Sequence, residues 1–226
     1  MNRLKFLAAV MIGIVALGLQ QAKADTFSFS LNAVNVLPGN SGPFVSVLVN
    51  RTSSTTPTIT FTSLTKSGNI FLLGKNGAVA VNVNAASWSL GSLVNIGTNS
   101  GIGFTPGPWS NGGAGNEDGF GSFNQTINSF DGFTHSSTTM SFSLTNTSGS
   151  WASAATVLKP NGSGNLAAAS ILYTAFNGGN FTASQGAINT GFASGNGPAV
   201  PDGGATVMLL GTALGALGMV RRYLKT

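Results

Sequence analysis

The chain has 226 residues, a formal net charge of +5, 32 glycines, one histidine and no cysteine, and only 7% of its residues are charged. This length allows one domain with a sizeable core, and the lack of cysteine excludes disulfides as a source of stability. A basic chain of this kind suggests a nucleic acid or an anionic surface as partner, unless the positive charges are confined to the ends.

The first 24 residues have the pattern of a secretory signal peptide. Two basic residues precede an apolar run over residues 6–19, and Ala22 and Ala24 fit the small-residue site that signal peptidase cleaves. A retained N-terminal anchor is the alternative, but an apolar run of this length before a small-residue site favours cleavage. The sequence therefore predicts removal of the segment, with Asp25 as the mature N-terminus.

The positive charge lies mainly at the two ends of the chain. Six of the ten basic residues precede residue 25 or follow residue 220, and residues 25–200 hold four basic and four acidic residues. The body of the protein is therefore formally neutral, so the sequence argues against nucleic acid as a partner.

Residues 25–193 are predicted to form a single all-β domain, an antiparallel β-sandwich or jelly roll of about eight to ten strands. Low-complexity disorder is the alternative for a body rich in Gly, Ser, Thr and Asn, but the apolar residues recur with period 2. The strand candidates are residues 27–33, 45–49, 59–61, 79–83, 88–90, 127–133, 140–144, 167–176 and 181–187.

Two segments of the body are predicted to lack strands. Residues 97–121 contain nine glycines without sustained alternation, which predicts a long loop around Trp109. Residues 194–199 are predicted to be a linker. For residues 167–176 the choice lies between a buried strand and a short helix, and the β-branched and aromatic side chains favour the strand.

The last 27 residues combine three features in a fixed order. An extended, flexible segment comes first, because proline restricts its neighbours and glycine does not hold a helix; it comprises Val200, Pro201, Asp202, Gly203 and Gly204. Residues 205–220 follow without a charge, and as a helix they would span roughly 24 Å. Arg221 and Arg222 then act as a stop-transfer signal, placing the C-terminus in the cytoplasm. A buried core helix is the alternative, and the basic flank favours a transmembrane helix.

This order of motif, helix and basic end resembles the VPDSG-type relatives of PEP-CTERM sorting signals, which occur on exported proteins of Gram-negative bacteria. The resemblance implies recognition and removal of the tail by exosortase, an integral membrane transpeptidase-like enzyme. Residues 200–204 would then be the recognition and cleavage motif, and residues 205–220 a transient anchor in the inner membrane. The motif departs from the common pattern in having Gly203 where Ser is usual.

A second resemblance lies in the body of the protein. Residues 141–170 are similar to a stretch that recurs in exported PEP-CTERM proteins, with a Thr-rich strand, a Trp, an Asn-Gly turn and an Ala-rich strand. Many of those proteins have a His after the alanines, where this chain has Ser170. This departure argues against a His-dependent role of the region.

Few residues of the body are suited to catalysis or metal binding. A Ser-His-Asp triad would have to use His135, which lies in a polar, turn-like context without a nucleophile elbow. Glu117, Asp118 and Asp131 are candidate calcium ligands in a Gly/Asn-rich region, although their spacing follows no calcium motif and ordinary turn carboxylates are the alternative. A glycosidase would need two carboxylates facing each other across a substrate, which adjacent residues do not establish.

Three tryptophans offer surfaces for sugars. Trp88, Trp109 and Trp151 would stack on saccharides if exposed, although burial in the core is the commoner fate of tryptophan in a β domain.

The sequence thus predicts a non-catalytic protein that is exported to the cell envelope or extracellular matrix and has a structural or adhesive role. No cofactor is required by the sequence, with calcium as the candidate. The alternatives are a module that binds exopolysaccharide and a single-pass protein that keeps its anchor.

Overall fold

The computed structural model describes residues 25–35, 41–95, 108–129, 135–175 and 189–197. Within these ranges the chain is all-β, with one short 3₁₀ helix, η1 (Ala154–Thr156). The strands are β1 (Asp25–Leu31), β2 (Ala33–Asn35), β3 (Val45–Arg51), β4 (Pro57–Ser63), β5 (Thr65–Lys66), β6 (Asn69–Leu73), β7 (Val79–Val81), β8 (Trp88–Asn95), β9 (Ser110–Glu117), β10 (Gly121–Asn128), β11 (Thr139–Asn146), β12 (Ala167–Ala175) and β13 (Asn189–Gly195).

The predicted signal peptide and the predicted helix over residues 205–220 lie outside the described residues. In the described part of the chain, none of the helices has the length and apolar character needed to cross a membrane.

The strands form two antiparallel sheets. Sheet 1 has the order β1-β3-β4-β11-β8, and sheet 2 has the order β2-β13-β12-β7-β10-β9. In sheet 2, β6 also pairs with β12, and β5 pairs with β6. Only Asn32 separates β1 from β2, so the chain passes from one sheet to the other at this point.

Alternating side chains explain how sheet 1 forms. In β4, Ile59 and Phe61 are fully buried, while the threonines that alternate with them face the other side of the sheet. Phe61 lies opposite Val47 on β3 and opposite Met140 on β11, so apolar residues form rows across the strands. Burying a side chain such as Phe61 contributes about 2–3 kcal/mol to the free energy of unfolding.

The two sheets share one hydrophobic core. Phe44, just before β3, packs edge to face on Phe71 of β6, with 4.9 Å between the ring centroids. Buried apolar residues of β1, β3, β4 and β11 belong to the same cluster as those of β6, β7, β10 and β12. Sheet 2 also has a small apolar cluster apart from this core, formed by Ala80, Phe123 and Ala168.

This domain has few charged residues, and asparagine side chains form hydrogen bonds that connect its strands and loops. Asn124 accepts a hydrogen bond from the Val83 amide at 2.7 Å and donates to the Val83 carbonyl at 2.9 Å, as a strand partner would. Asn161 donates to the Phe120 carbonyl at 2.9 Å and accepts from two nearby backbone amides. These bonds give the Asn-rich composition a structural explanation.

Most of the predicted strands in the described residues are confirmed, including the choice of strand for β12. The candidate over residues 127–133 overlaps only the end of β10, which stops at Asn128, and residues 130–133 lie outside the described residues. Two predictions are wrong. The loop over residues 97–121 contains β9, and β10 begins at Gly121. Glycines conceal this strand in the sequence because they leave no alternating side chains.

The predicted linker over residues 194–199 also begins too early. β13 continues to Gly195, and Ala193 and Ser194 are fully buried. This strand pairs with β12 along seven residues, so neighbouring β12 rather than its own composition determines its conformation. The strand candidate over residues 181–187 lies outside the described residues.

Candidate functional site

The hairpin of β9 and β10 separates the two adjacent acidic residues. The Phe120 amide donates to the Glu117 carbonyl at 2.9 Å, closing the turn. Glu117 is only 1% exposed, whereas its neighbour Asp118 is exposed. Side chains of successive residues at a strand end point to opposite sides, so these two candidate calcium ligands do not converge. Asp131, the third, lies outside the described residues.

Glu117 is the most unusual ionisable group of the described domain. Its Oε2 atom has no hydrogen-bond partner among the described residues. Burial raises the pKa of Glu117 to about 8, because removal from water disfavours the carboxylate. A buried polar atom without a partner is costly, which is why such atoms often mark functional sites.

Two glycines make room for the polar side chains around Glu117. Gly77 has a φ of +65°, and a Cβ atom there would collide with Oε1 of Glu117. The Gly77 amide donates to Oδ1 of Asn128 at 2.8 Å. A Cβ atom on Gly112 would collide with Oγ1 of Thr126 and lie 2.8 Å from the same Asn128 oxygen.

These residues line a cavity of about 250 Å³. Its described walls are glycine, alanine, asparagine and threonine residues from the β6–β7 turn, β9 and β10, together with Glu117. Glu117 is the one ionisable residue among them, and none of them is basic or aromatic. The cavity is therefore polar and carries at most one negative charge.

The remaining sequence candidates do not join this cavity. His135 is half-buried, and its carbonyl accepts a hydrogen bond from the Ser129 hydroxyl at 3.1 Å. Across the described ranges, no three His, Cys, Asp or Glu residues are grouped as metal ligands would be. A metal at Glu117 would therefore need amide, hydroxyl or backbone oxygens as its other ligands.

The tryptophans belong to the core more than to the surface. Trp151 is 3% exposed and donates from Nε1 to the Asn84 carbonyl at 2.7 Å, so it does not present a face for stacking. Trp88 and Trp109 are half-buried and pack against the core. Trp88 also donates from Nε1 to Oε1 of Gln125 at 3.1 Å.

Sequence reasoning identified Glu117 but missed its surroundings. Gly77, Gly112, Thr126 and Asn128 come from three separate segments, and only the pairing of β10 with β7 and β9 brings them together. The one available signal is that Glu117 directly follows the uncharged segment 108–116.

The predicted sorting signal and the predicted signal-peptidase site lie outside the described residues. They comprise Val200, Pro201, Asp202, Gly203, Gly204, Arg221 and Arg222, and Ala22 and Ala24.

Sequence comparison does address the tail. No curated protein and no solved structure matched the chain. Residues 199–224 match the model of the VPDSG-CTERM motif, so the chain carries a C-terminal motif of the PEP-CTERM sorting type. Such a motif indicates export towards the cell envelope or extracellular space and implies a processing enzyme of the exosortase kind.

Proposed function

We propose that the chain is the precursor of an exported matrix or cell-surface protein, which an exosortase-type enzyme processes within residues 200–204. The match of residues 199–224 to the VPDSG-CTERM motif carries this proposal. In it, signal peptidase cleaves after Ala24, residues 205–220 hold the precursor in the inner membrane, and Arg221 with Arg222 stop its transfer.

The exported part in this proposal is a β-sandwich with a non-catalytic, adhesive role. Two antiparallel sheets that share one core support the sandwich. The adhesive role is supported by the face of sheet 1 that points away from this core. On that face Thr58, Thr60 and Thr62 stand at every second position of β4.

Neighbouring strands continue this hydroxyl-bearing face. Thr60 lies opposite Ser141 on β11, a residue that is only 4% exposed, and the two hydroxyls are 3.0 Å apart. Two exposed apolar side chains, Leu48 on β3 and Val94 on β8, flank this pair in the same row. The rows beside it pair Thr58 with Ser143 and Thr62 with Thr139. A neutral face of hydroxyl groups and apolar side chains suits contact with a neutral, hydroxyl-rich polymer such as an exopolysaccharide, and it does not suit electrostatic binding to nucleic acid.

The processing step is tested by the intact mass and location of the protein in two otherwise identical hosts, one with a matching exosortase and one without. We expect a species that begins at Asp25 and ends within residues 200–204, found outside the cells only when the enzyme is present. A species that keeps residues 205–226 in the membrane of both hosts would instead describe a permanently anchored protein.

A tail variant separates recognition of the motif from other effects of the enzyme. The chain with Pro201→Ala and Asp202→Ala keeps the hydrophobic segment and the basic end. In the host that contains the enzyme, it should behave as the unaltered chain does in the host without it. Equal processing of both chains would overturn the assignment of residues 200–204 as the recognised motif.

The adhesive role is tested by co-sedimentation with a neutral polysaccharide from the producing cells. Replacing Thr60 by Glu puts a charge at the centre of the hydroxyl face and should reduce binding. Glu in place of the exposed Ser163, which lies in the loop before β12, is the matched control and should leave binding unchanged. Equal binding by both variants would exclude this face.

A further inference from the structure

The cavity beside Glu117 brings together side-chain oxygens from two strands of sheet 2. Gly77 lies between two of these oxygens, because its amide donates to Oδ1 of Asn128 and its α-carbon faces Oε1 of Glu117. Gly112 also lies between two of them, because its α-carbon faces both Oγ1 of Thr126 and Oδ1 of Asn128. The carboxylate, the hydroxyl and the amide oxygen therefore lie around one small space.

From this geometry we propose that the cavity is a calcium site. Both carboxylate oxygens of Glu117, Oγ1 of Thr126 and Oδ1 of Asn128 supply its side-chain ligands, and backbone carbonyls and water complete the six to eight oxygen ligands that calcium takes. The proposal concerns the exported domain and does not depend on the processing of the tail.

The chemistry of the walls selects a cation over an anion. Oxygen atoms of carboxylate, amide and hydroxyl groups are the ligands that hard cations prefer. None of the described residues that line the cavity is basic, so an anion would find no positive partner there. The orphaned Oε2 atom of Glu117 gains a partner when a cation binds, which removes the cost of its burial.

The accessibility of Glu117 argues against a sugar as the occupant. Oε2 is buried away from solvent, so a sugar hydroxyl cannot reach it without movement of the walls. The described walls also lack the aromatic side chain on which a sugar ring would stack. A bare cation is smaller than a water molecule and needs no stacking surface, so it suits this space better than a sugar does.

The number of charges sets the expected affinity. Calcium affinity rises with the count of charged ligands, and this site has a single carboxylate. We therefore expect a dissociation constant of about 10⁻⁴–10⁻³ M, the range of extracellular calcium modules. Such a site is filled outside a cell and empty inside it, so calcium would stabilise the domain only after export.

The test measures the thermal midpoint of the purified full-length protein during titration with CaCl₂. In 10 mM CaCl₂ the midpoint should rise by about 3–10 °C, as mass action predicts for this affinity and chain length. MgCl₂ at the same ionic strength should give a smaller shift, because magnesium needs a tighter octahedral site and loses water reluctantly. Equal shifts with both salts, or none, would overturn the proposal.

Two variants at adjacent positions locate the ion. Glu117→Gln keeps the size and hydrogen-bonding shape of the side chain and should abolish the calcium shift. Asp118→Asn removes an exposed carboxylate next to it and should keep the shift in full. A shift that survives in Glu117→Gln, or disappears only in Asp118→Asn, would place the ion elsewhere.

A third variant tests for a gain of affinity, which impaired folding would not mimic. Asn128→Asp adds a second carboxylate at the same position, so it should tighten calcium binding by about tenfold or more, measured by calorimetry. Unchanged or weaker binding would contradict the role of Asn128 as a ligand. The calcium proposal would also be overturned if a neutral monosaccharide shifted the thermal midpoint of the unaltered protein and calcium did not.

Discussion

Arg51 donates from Nε to Oδ1 of Asp25 over 2.7 Å, although the Arg51 side chain is only 4% exposed. The other carboxylate oxygen of Asp25 accepts the Ala154 amide at 2.8 Å, at the start of η1. Arg51 also donates to the Trp151 carbonyl at 3.3 Å. The residue predicted to begin the mature protein therefore connects β1 to β3 and to η1.

The first prediction concerns this ion pair. Asp25→Ala leaves a buried guanidinium without its carboxylate and removes the acceptor of the Ala154 amide. We expect the free energy of unfolding to fall by about 2 kcal/mol, below the cost for a fully buried pair because Asp25 is partly solvated. Urea denaturation measures the change, and Asp118→Ala, which removes an exposed carboxylate, is the control. An equal loss in both variants would contradict the structural role of Asp25.

The ion pair also shows what the sequence can and cannot predict. The signal-peptide pattern predicts Asp25 as the mature terminus, but nothing local joins it to Arg51 or to Ala154, which is 129 residues away. The partners follow from the pairing of β1 with β3, in which Asp25 lies opposite Arg51. An ion pair that depends on the register between two strands cannot be predicted from the sequence of either strand alone.

The strands also differ in whether the sequence predicts them. β3, β4 and β11 alternate apolar and polar side chains, because sheet 1 buries one face, and their positions were predictable. β9 is made mostly of glycine and asparagine, and it is a strand because β10 pairs with it. The cavity at Glu117 is built on this concealed strand, so its ligands could not be assembled from spacing.

The second prediction tests asparagine as a substitute for a strand partner. Asn124→Ala removes both hydrogen bonds to the Val83 backbone and leaves its amide and carbonyl without these partners. The expected loss is about 2–3 kcal/mol in the free energy of unfolding. Asn50→Ala on the exposed face of β3 serves as the control and should change stability by less than about 0.5 kcal/mol. A result below 0.5 kcal/mol for both would show that water replaces the Asn124 amide.

The third prediction is a dependence of stability on pH in calcium-free buffer. The pKa of Glu117 is about 8 in the folded protein and near 4.5 in the unfolded chain. Between these values the folded state keeps a proton that the unfolded state releases, so the contribution of Glu117 to stability is greatest below pH 4.5 and falls as the pH rises to 8. The slope from this group is about 1.4 kcal/mol per pH unit.

Glu117→Gln isolates this contribution, because glutamine does not titrate. The difference in the free energy of unfolding between the variant and the unaltered protein should grow in favour of glutamine from pH 5 to pH 8 and then stay constant. Chemical denaturation in EDTA at each pH gives the difference, from which contributions common to both proteins cancel. Parallel pH profiles for the two proteins would contradict the assignment.

The last prediction concerns the turn residue that faces Glu117. Gly77→Ala puts a Cβ atom on Oε1 of Glu117 and places alanine at a φ of +65°. The left-handed conformation alone costs about 1–2 kcal/mol, and displacement of the carboxylate adds to this. We expect a total loss of about 2–4 kcal/mol by urea denaturation. Gly149→Ala is the control, since that position is open and its backbone is unstrained.

A double-mutant cycle separates the two costs of Gly77→Ala. In the Glu117→Ala background the carboxylate is absent, so Gly77→Ala should cost only the conformational term of about 1–2 kcal/mol. The coupling energy between the two positions then measures the part of the stability loss that comes from the collision with Glu117. A coupling energy of zero would mean that Glu117 moves aside freely, and the cavity would then lack the rigidity that holds its oxygens around one ion.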